Sequence, residues 1–139
     1  MKLFIDSNVF FDFVLQRRPF ATATNDFFNF VNNGRIDCAT NPNNFPHVFF
    51  LHQKLIGGKA SKLHLQKVKQ LIDCVQFDSE VVDKALAMKA PSDLEDCINI
   101  QLALSYSAHF LITRDQKGSY KDCPIQVYTP AQFIAAYPR

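Results

Sequence analysis

At 139 residues, with 47% hydrophobic and 20% charged side chains, the chain has the size and composition of one globular domain, 1–139, that buries its core without staples. A net charge of +2 excludes a globally basic nucleic-acid binder, so any such role needs a local patch. No apolar run approaches the roughly 20 residues of a membrane helix, and Asp6 and Asp12 interrupt any signal-like stretch, so the expectation is a cytoplasmic protein with no membrane partner.

Lys2 to Ile5 reads as a first strand that stops at Asp6-Ser7-Asn8. Ser7 or Asn8 would cap a short helix to about Gln16, ended by Arg17-Arg18-Pro19. Phe20, Ala23, Phe27, Phe30 and Val31 recur at helical spacing, and Asn33-Gly34 would close that second helix. Ile36 to Thr40 is a second strand. Asn41-Pro42-Asn43-Asn44 then opens a third helix, carrying Val48, Phe49, Leu51, Leu55 and Ile56, which Gly57-Gly58 breaks. Ser61 would cap the next helix, with Leu65, Val68, Leu71 and Ile72 as its apolar stripe. Val75 to Phe77 reads as a third strand, Ser79 to about Lys89 as a helix stopped by Pro91, and Asp93 to Ser107 as another. Phe110 to Thr113 and Ile125 to Tyr128 complete the strands, and Thr129-Pro130 begins the last helix. Strands alternating with helices imply a three-layer α/β/α sandwich around a mainly parallel sheet of about five strands.

Ligands of open α/β sheets bind beyond the carboxyl ends of the strands. Two predicted strands end there in acids, Asp6 and Asp115, and Asp93, Glu95 and Asp96 cluster at a helix start. Acids at a helix start serve capping and the macrodipole, yet three in four positions exceed that need. Asp93 and Asp96 share a face, whereas Glu95 points away. With Ser7 and Asn8 available as caps, Asp6 is free for another task. Asp12 is expected to pair with Arg17 or Arg18 at the surface. Hard carboxylate oxygens without a His or Cys set point to Mg²⁺ or Mn²⁺ rather than zinc.

Other features weigh less. Cys38, Cys74, Cys97 and Cys123 are isolated and form no C-x-x-C pair, so they read as small buried hydrophobes of a reducing compartment. His47 and His52 are five apart, which breaks the geometry of a helical metal pair. From Cys38 to Ile72 there is no acid, and Lys54, Lys59, Lys62 and Lys69 fall within that block as candidates for a phosphate backbone. The aromatic segments Phe20–Val31 and Val48–Ile56 suit either core packing or a partner surface such as a homodimer.

Leu3-Phe4-Ile5-Asp6-Ser7-Asn8-Val9-Phe10-Phe11-Asp12, Asp93-Leu94-Glu95-Asp96, Leu111-Ile112-Thr113-Arg114-Asp115 and the closing Val127-Tyr128-Thr129-Pro130-Ala131-Gln132-Phe133 together resemble a PIN domain, the nuclease fold of VapC-type toxins. The resemblance spans nearly the whole length. It implies that Asp6, Asp96 and Asp115 are the metal ligands and catalytic acids, with Asp93 auxiliary and Asn8 and Thr113 orienting them. It also implies one or two Mg²⁺ or Mn²⁺ ions, RNA as substrate, and the toxin role in a toxin–antitoxin pair. One feature departs from it. The family's usual Glu after the second strand is missing, and Thr40 to His47 contains no acid; Asn43 or Asn44 could hold only a metal-coordinated water. A degenerate domain that binds RNA or protein without cleaving is therefore the alternative. A phosphohydrolase with a nucleophilic aspartate is disfavoured, because Asn8 stands where a second Asp is commonly needed.

Overall fold

A computed structural model describes residues 1–91, 93–114, 118 and 120–138 of the chain. Among these, five parallel strands form one sheet: β1 (Lys2–Ile5), β2 (Asp37–Thr40), β3 (Asp73–Cys74), β4 (Phe110–Ile112) and β5 (Gln126–Tyr128), in the order β3-β2-β1-β4-β5. The helices are α1 (Ser7–Leu15), α2 (Ala21–Gly34), α3 (Asn44–Ile56), α4 (Gly58–Leu71), α5 (Ser79–Ala87), α6 (Leu94–Ser105) and α7 (Pro130–Ala136).

Side chains alternate across each strand, so each strand feeds two cores. Leu3, Ile5, Cys38 and Ile112 pack with Phe10, Phe27, Phe28, Val48 and Phe133 on one face. Phe4, Ala39 and Leu111 pack with Val81, Ile100 and Leu102 on the other. Helices therefore cover both faces, as the alternation of strands and helices implied. The order runs outward from β1 through β2 to β3, then resumes with β4 on the other side of β1. That reversal places a crevice beyond the carboxyl ends of β1 and β4.

Several boundaries differ from the sequence reading, each for a local reason. The cap of α1 is Asp6 itself, whose carboxylate accepts from Ser7 N–H, rather than Ser7 or Asn8. The α2 helix runs through Gly34, and Arg35 takes the left-handed position, because Ile36 N–H closes onto Val31 C=O. The third strand is Asp73–Cys74 rather than Val75–Phe77, since β2 ends at Thr40 and offers an edge partner only up to that point. Ser61 lies inside α4 and is buried against His52.

The segment Phe20–Val31 is resolved in favour of core: Phe27, Phe28 and Val31 are buried. On α3, by contrast, Phe50, Leu51, Leu55 and Ile56 are exposed. Among the described residues no helix is long and apolar enough to cross a membrane.

The α3–α4 pair carries a pH dependence. His52 Nδ1 lies 2.9 Å from Ser61 Oγ, and burial, followed by the nearby His64, holds the His52 pKa below its ordinary 6.5. The unfolded chain therefore takes up this proton at higher pH than the folded chain. The stability from a neutral His52 is in place above the unfolded value and is lost as pH falls from about 6.5 toward the folded value. Thermal melts below pH 6.5 are expected to show a falling Tm, with a shallower fall in His52→Gln.

Candidate active site

Beyond the carboxyl end of β1, the backbone N–H of Asp6 bonds Ile112 C=O of β4 at 2.9 Å, which fixes the carboxylate over the crevice. Asp6 is buried, and its oxygens are surrounded by donors. Oδ1 accepts from Ser7 N at 2.8 Å, Asn99 Nδ2 at 3.0 Å and Tyr120 Oη at 2.9 Å. Oδ2 accepts from Thr113 Oγ1 at 2.7 Å. Burial raises the Asp6 pKa above the ordinary carboxylate range; the bonds from Thr113, Tyr120 and Ser7 oppose that rise, and the charge of Asp96 adds to it.

Tyr120 joins the two acids. Its Oη is also 3.3 Å from Asp96 Oδ1, in the first turn of α6. A phenol brings a single proton to two carboxylates, so negative charge is left over at their meeting point. Burial first, then the Asp6 charge, pushes the Tyr120 pKa up, which keeps the hydroxyl protonated as a donor.

A ring of neutral polar groups supports this pair. Asn8 Nδ2 donates to Thr113 Oγ1 at 3.3 Å, and Asn8 Oδ1 accepts from Arg114 N at 3.1 Å. Asn41 Nδ2 donates to Asn99 Oδ1 at 3.1 Å, orienting the amide that reaches Asp6. Asn44 is buried and donates to Thr40 Oγ1 at 2.8 Å, while Asn43 is exposed.

The structure thus brings together Asp6, Asp96, Asn8 and Thr113. The remaining described candidates take other positions. Asp93 is exposed and caps α6, accepting from Asp96 N at 3.1 Å. Glu95, expected to point away, accepts from Ser7 Oγ at 3.0 Å on the rim of an open cleft of about 740 Å³, which Arg17, His47 and Phe50 also line. Lys54 is exposed on α3 with its ammonium 4.2 Å from the Phe50 ring centroid. Lys59 and Lys62 are exposed on α4. Lys69 pairs with Asp73 and borders the opposite end of the sheet beside Lys2 and Asp37. Asp115 lies outside the described residues.

Asp12 differs most from its expected surface position. It is 1% exposed and takes two guanidinium groups, Arg17 at 2.8 Å and Arg114 at 2.9 Å. The Arg114 guanidinium also lies 3.9 Å from the Phe20 ring centroid.

Tyr120, Asn99 and Asn41 escaped the sequence reading. Asn99 left a faint trace, a buried amide three residues after Asp96 on the apolar side of its helix. Tyr120 follows β4 in a segment with no periodicity and left none.

The chemistry of this donor set fits a hard divalent cation: paired carboxylates, oriented by amide and hydroxyl donors, with an excess of negative charge where they meet. Among the described residues, however, no three His, Cys, Asp or Glu side chains converge into a metal-holding group.

A family model of the PIN domain matches residues 2–117. No curated relative matches the sequence. Among solved structures, the chain is similar to VapBC2 from Rickettsia felis bound to a DNA fragment from their promoter, with a TM-score of 0.69 at 10% identity, covering 93% of this chain and 98% of that one. It is similar also to VapBC-1 from nontypeable Haemophilus influenzae, with a TM-score of 0.68 at 12% identity, covering 94% of this chain and 98% of that one. At such identities the likeness is one of fold.

Proposed function

The chain belongs to the PIN domain family, and from that premise we propose that it hydrolyses RNA phosphodiester bonds with Mg²⁺ or Mn²⁺, as the cytoplasmic toxin component of a toxin–antitoxin pair. The observation that carries this reading is the approach of Asp6 and Asp96 to one hydroxyl at the switch point of the sheet. Asp6 and Asp96 would hold the cation, with Asp115 as a third ligand. Bound there, the ion would supply an activated water and offset charge on the scissile phosphate and the leaving oxygen.

The remaining work falls to this chain's own groups. Thr113 and Asn99 hold the Asp6 carboxylate in one orientation through 2.7 Å and 3.0 Å hydrogen bonds. Asn8 fixes Thr113 and, through Arg114 N–H, the end of β4. Asp93 sets the first turn of α6 and thereby the place of Asp96. Lys54, Lys59 and Lys62 would offer backbone contacts to RNA. The exposed apolar residues Phe50 and Leu55 of α3 would be covered by an antitoxin or by a second copy of the chain.

Incubation with mixed RNA and excess Mn²⁺ is expected to give discrete fragments, and EDTA is expected to stop their formation. RNA left intact under saturating Mn²⁺ would count against cleavage.

A second reading, an RNA- or protein-binding domain that does not cleave, draws support from the donors that already surround Asp6 and from the lack of any acid between Thr40 and His47. Its signature is RNA affinity that falls steeply with salt and ignores chelator.

A further inference from the structure

We propose that the Tyr120 hydroxyl is a built-in competitor for the cation site, holding the position between Asp6 and Asp96 that a divalent ion would need. This rests on the reading of the acid pair as a metal site. A divalent cation binds carboxylate oxygens at about 2.0–2.6 Å. The phenolic oxygen stands within hydrogen-bonding distance of both acids, 2.9 Å from Asp6 Oδ1 and 3.3 Å from Asp96 Oδ1. No ion takes that place while the hydroxyl keeps both contacts.

Asp6 Oδ1 shows the competition from the other side. It accepts from three donors, which uses the directions in which it would offer a lone pair to a cation. Two of the three are anchored: Ser7 N–H belongs to the first turn of α1, and the Asn99 amide is tied back to Asn41. Tyr120 is the donor that lies on neither a helix nor a strand; its backbone C=O accepts a turn bond from Cys123 N. It is also the donor directed toward Asp96. Removing the hydroxyl opens a direction on Asp6 that faces the second acid.

In the cation-free protein the same hydroxyl separates two carboxylates that would otherwise repel. Tyr120 therefore trades stability of the empty site against affinity of the filled one. The device would leave the site weakly loaded until a phosphate oxygen of RNA completes the ion's shell.

Tyr120→Phe keeps the ring in the core with Ile100 and Leu102 and removes only the hydroxyl. The expected result has two opposite signs: the metal-free protein melts a few degrees lower, while calorimetry shows Mn²⁺ bound about tenfold tighter or more. A merely structural tyrosine would lower the melting point without tightening Mn²⁺. Equal Mn²⁺ affinity in the two proteins overturns the competitor while leaving the metal reading intact. Weaker affinity in Tyr120→Phe also overturns it, by making the hydroxyl a ligand. Absence of Mn²⁺ binding in both proteins removes the metal reading itself, and the competitor with it.

Discussion

Asp96→Asn is expected to lower Mn²⁺-dependent RNA cleavage by at least about a thousandfold, equivalent to roughly 4 kcal/mol of lost transition-state stabilisation. Asparagine keeps the shape of the side chain and removes its charge, and the charge is what makes the meeting point with Asp6 attractive to a divalent cation. The fold should persist. The bond between Asp93 and position 96 uses the backbone N–H of Asp96, which the substitution leaves alone. Losing an acid from the first turn of α6 removes about 0.5 kcal/mol of helix-dipole stabilisation. Asp6 is a poorer target, because its carboxylate also caps α1 and receives Thr113, Asn99 and Tyr120. Cleavage assays with circular dichroism on the same samples check the prediction. A folded Asp96→Asn protein that cleaves at the wild-type rate would take Asp96 out of the chemistry.

Asp12→Ala should give a large loss of stability. The carboxylate is 1% exposed and neutralises Arg17 and Arg114, whose side chains are 40% and 35% exposed. Breaking a buried ion pair by removing one partner destabilises by about 3–5 kcal/mol, because the remaining charge is left uncompensated. Here the guanidinium groups keep partial access to water, which screens them, so about 2–3 kcal/mol is expected. For a chain of this size that corresponds to a drop in Tm on the order of 5–10 °C. The damage would reach the site as well. Arg114 directly follows Thr113, and its backbone N–H bonds Asn8 Oδ1, so a displaced Arg114 loosens both groups around Asp6. Thermal melts of Asp12→Ala beside Arg18→Ala check this; similar, small shifts would mean that Asp12 acts as an ordinary surface charge.

The contrast between these two aspartates shows what was legible in the sequence. The positions of Asp6 and Asp96 were legible because their surroundings are local: an apolar strand stops at one, and an apolar helix starts near the other. The layer architecture was legible for the same reason, since periodicity is a short-range signal. Asp12 could not be read. Its second cation, Arg114, lies 102 residues away and meets it only when β1 and β4 pair, so a nearby Arg17 made a surface pair look sufficient. The cap of α1 was ambiguous because Asp6, Ser7 and Asn8 are all good capping residues. The short third strand moved because pairing with β2, rather than its own apolar run, set where it forms. Tyr120 reaches Asp6 across 114 positions from an aperiodic segment, a contact that only the tertiary fold creates.

The missing Glu after the second strand takes on a physical form in the structure. Asn41 donates to Asn99, whose own amide donates to Asp6, so a neutral amide relay stands beside the carboxylate. Such a relay orients Asp6 without adding negative charge, so the proposed cation site depends on Asp96 as its second acid among the described residues. Calorimetric titration of Mn²⁺ into wild type and Asp96→Asn, each confirmed as folded, tests that claim most directly. Wild type is expected to bind Mn²⁺ saturably and Asp96→Asn not detectably; equal binding by the two proteins would take Asp96 out of the cation site.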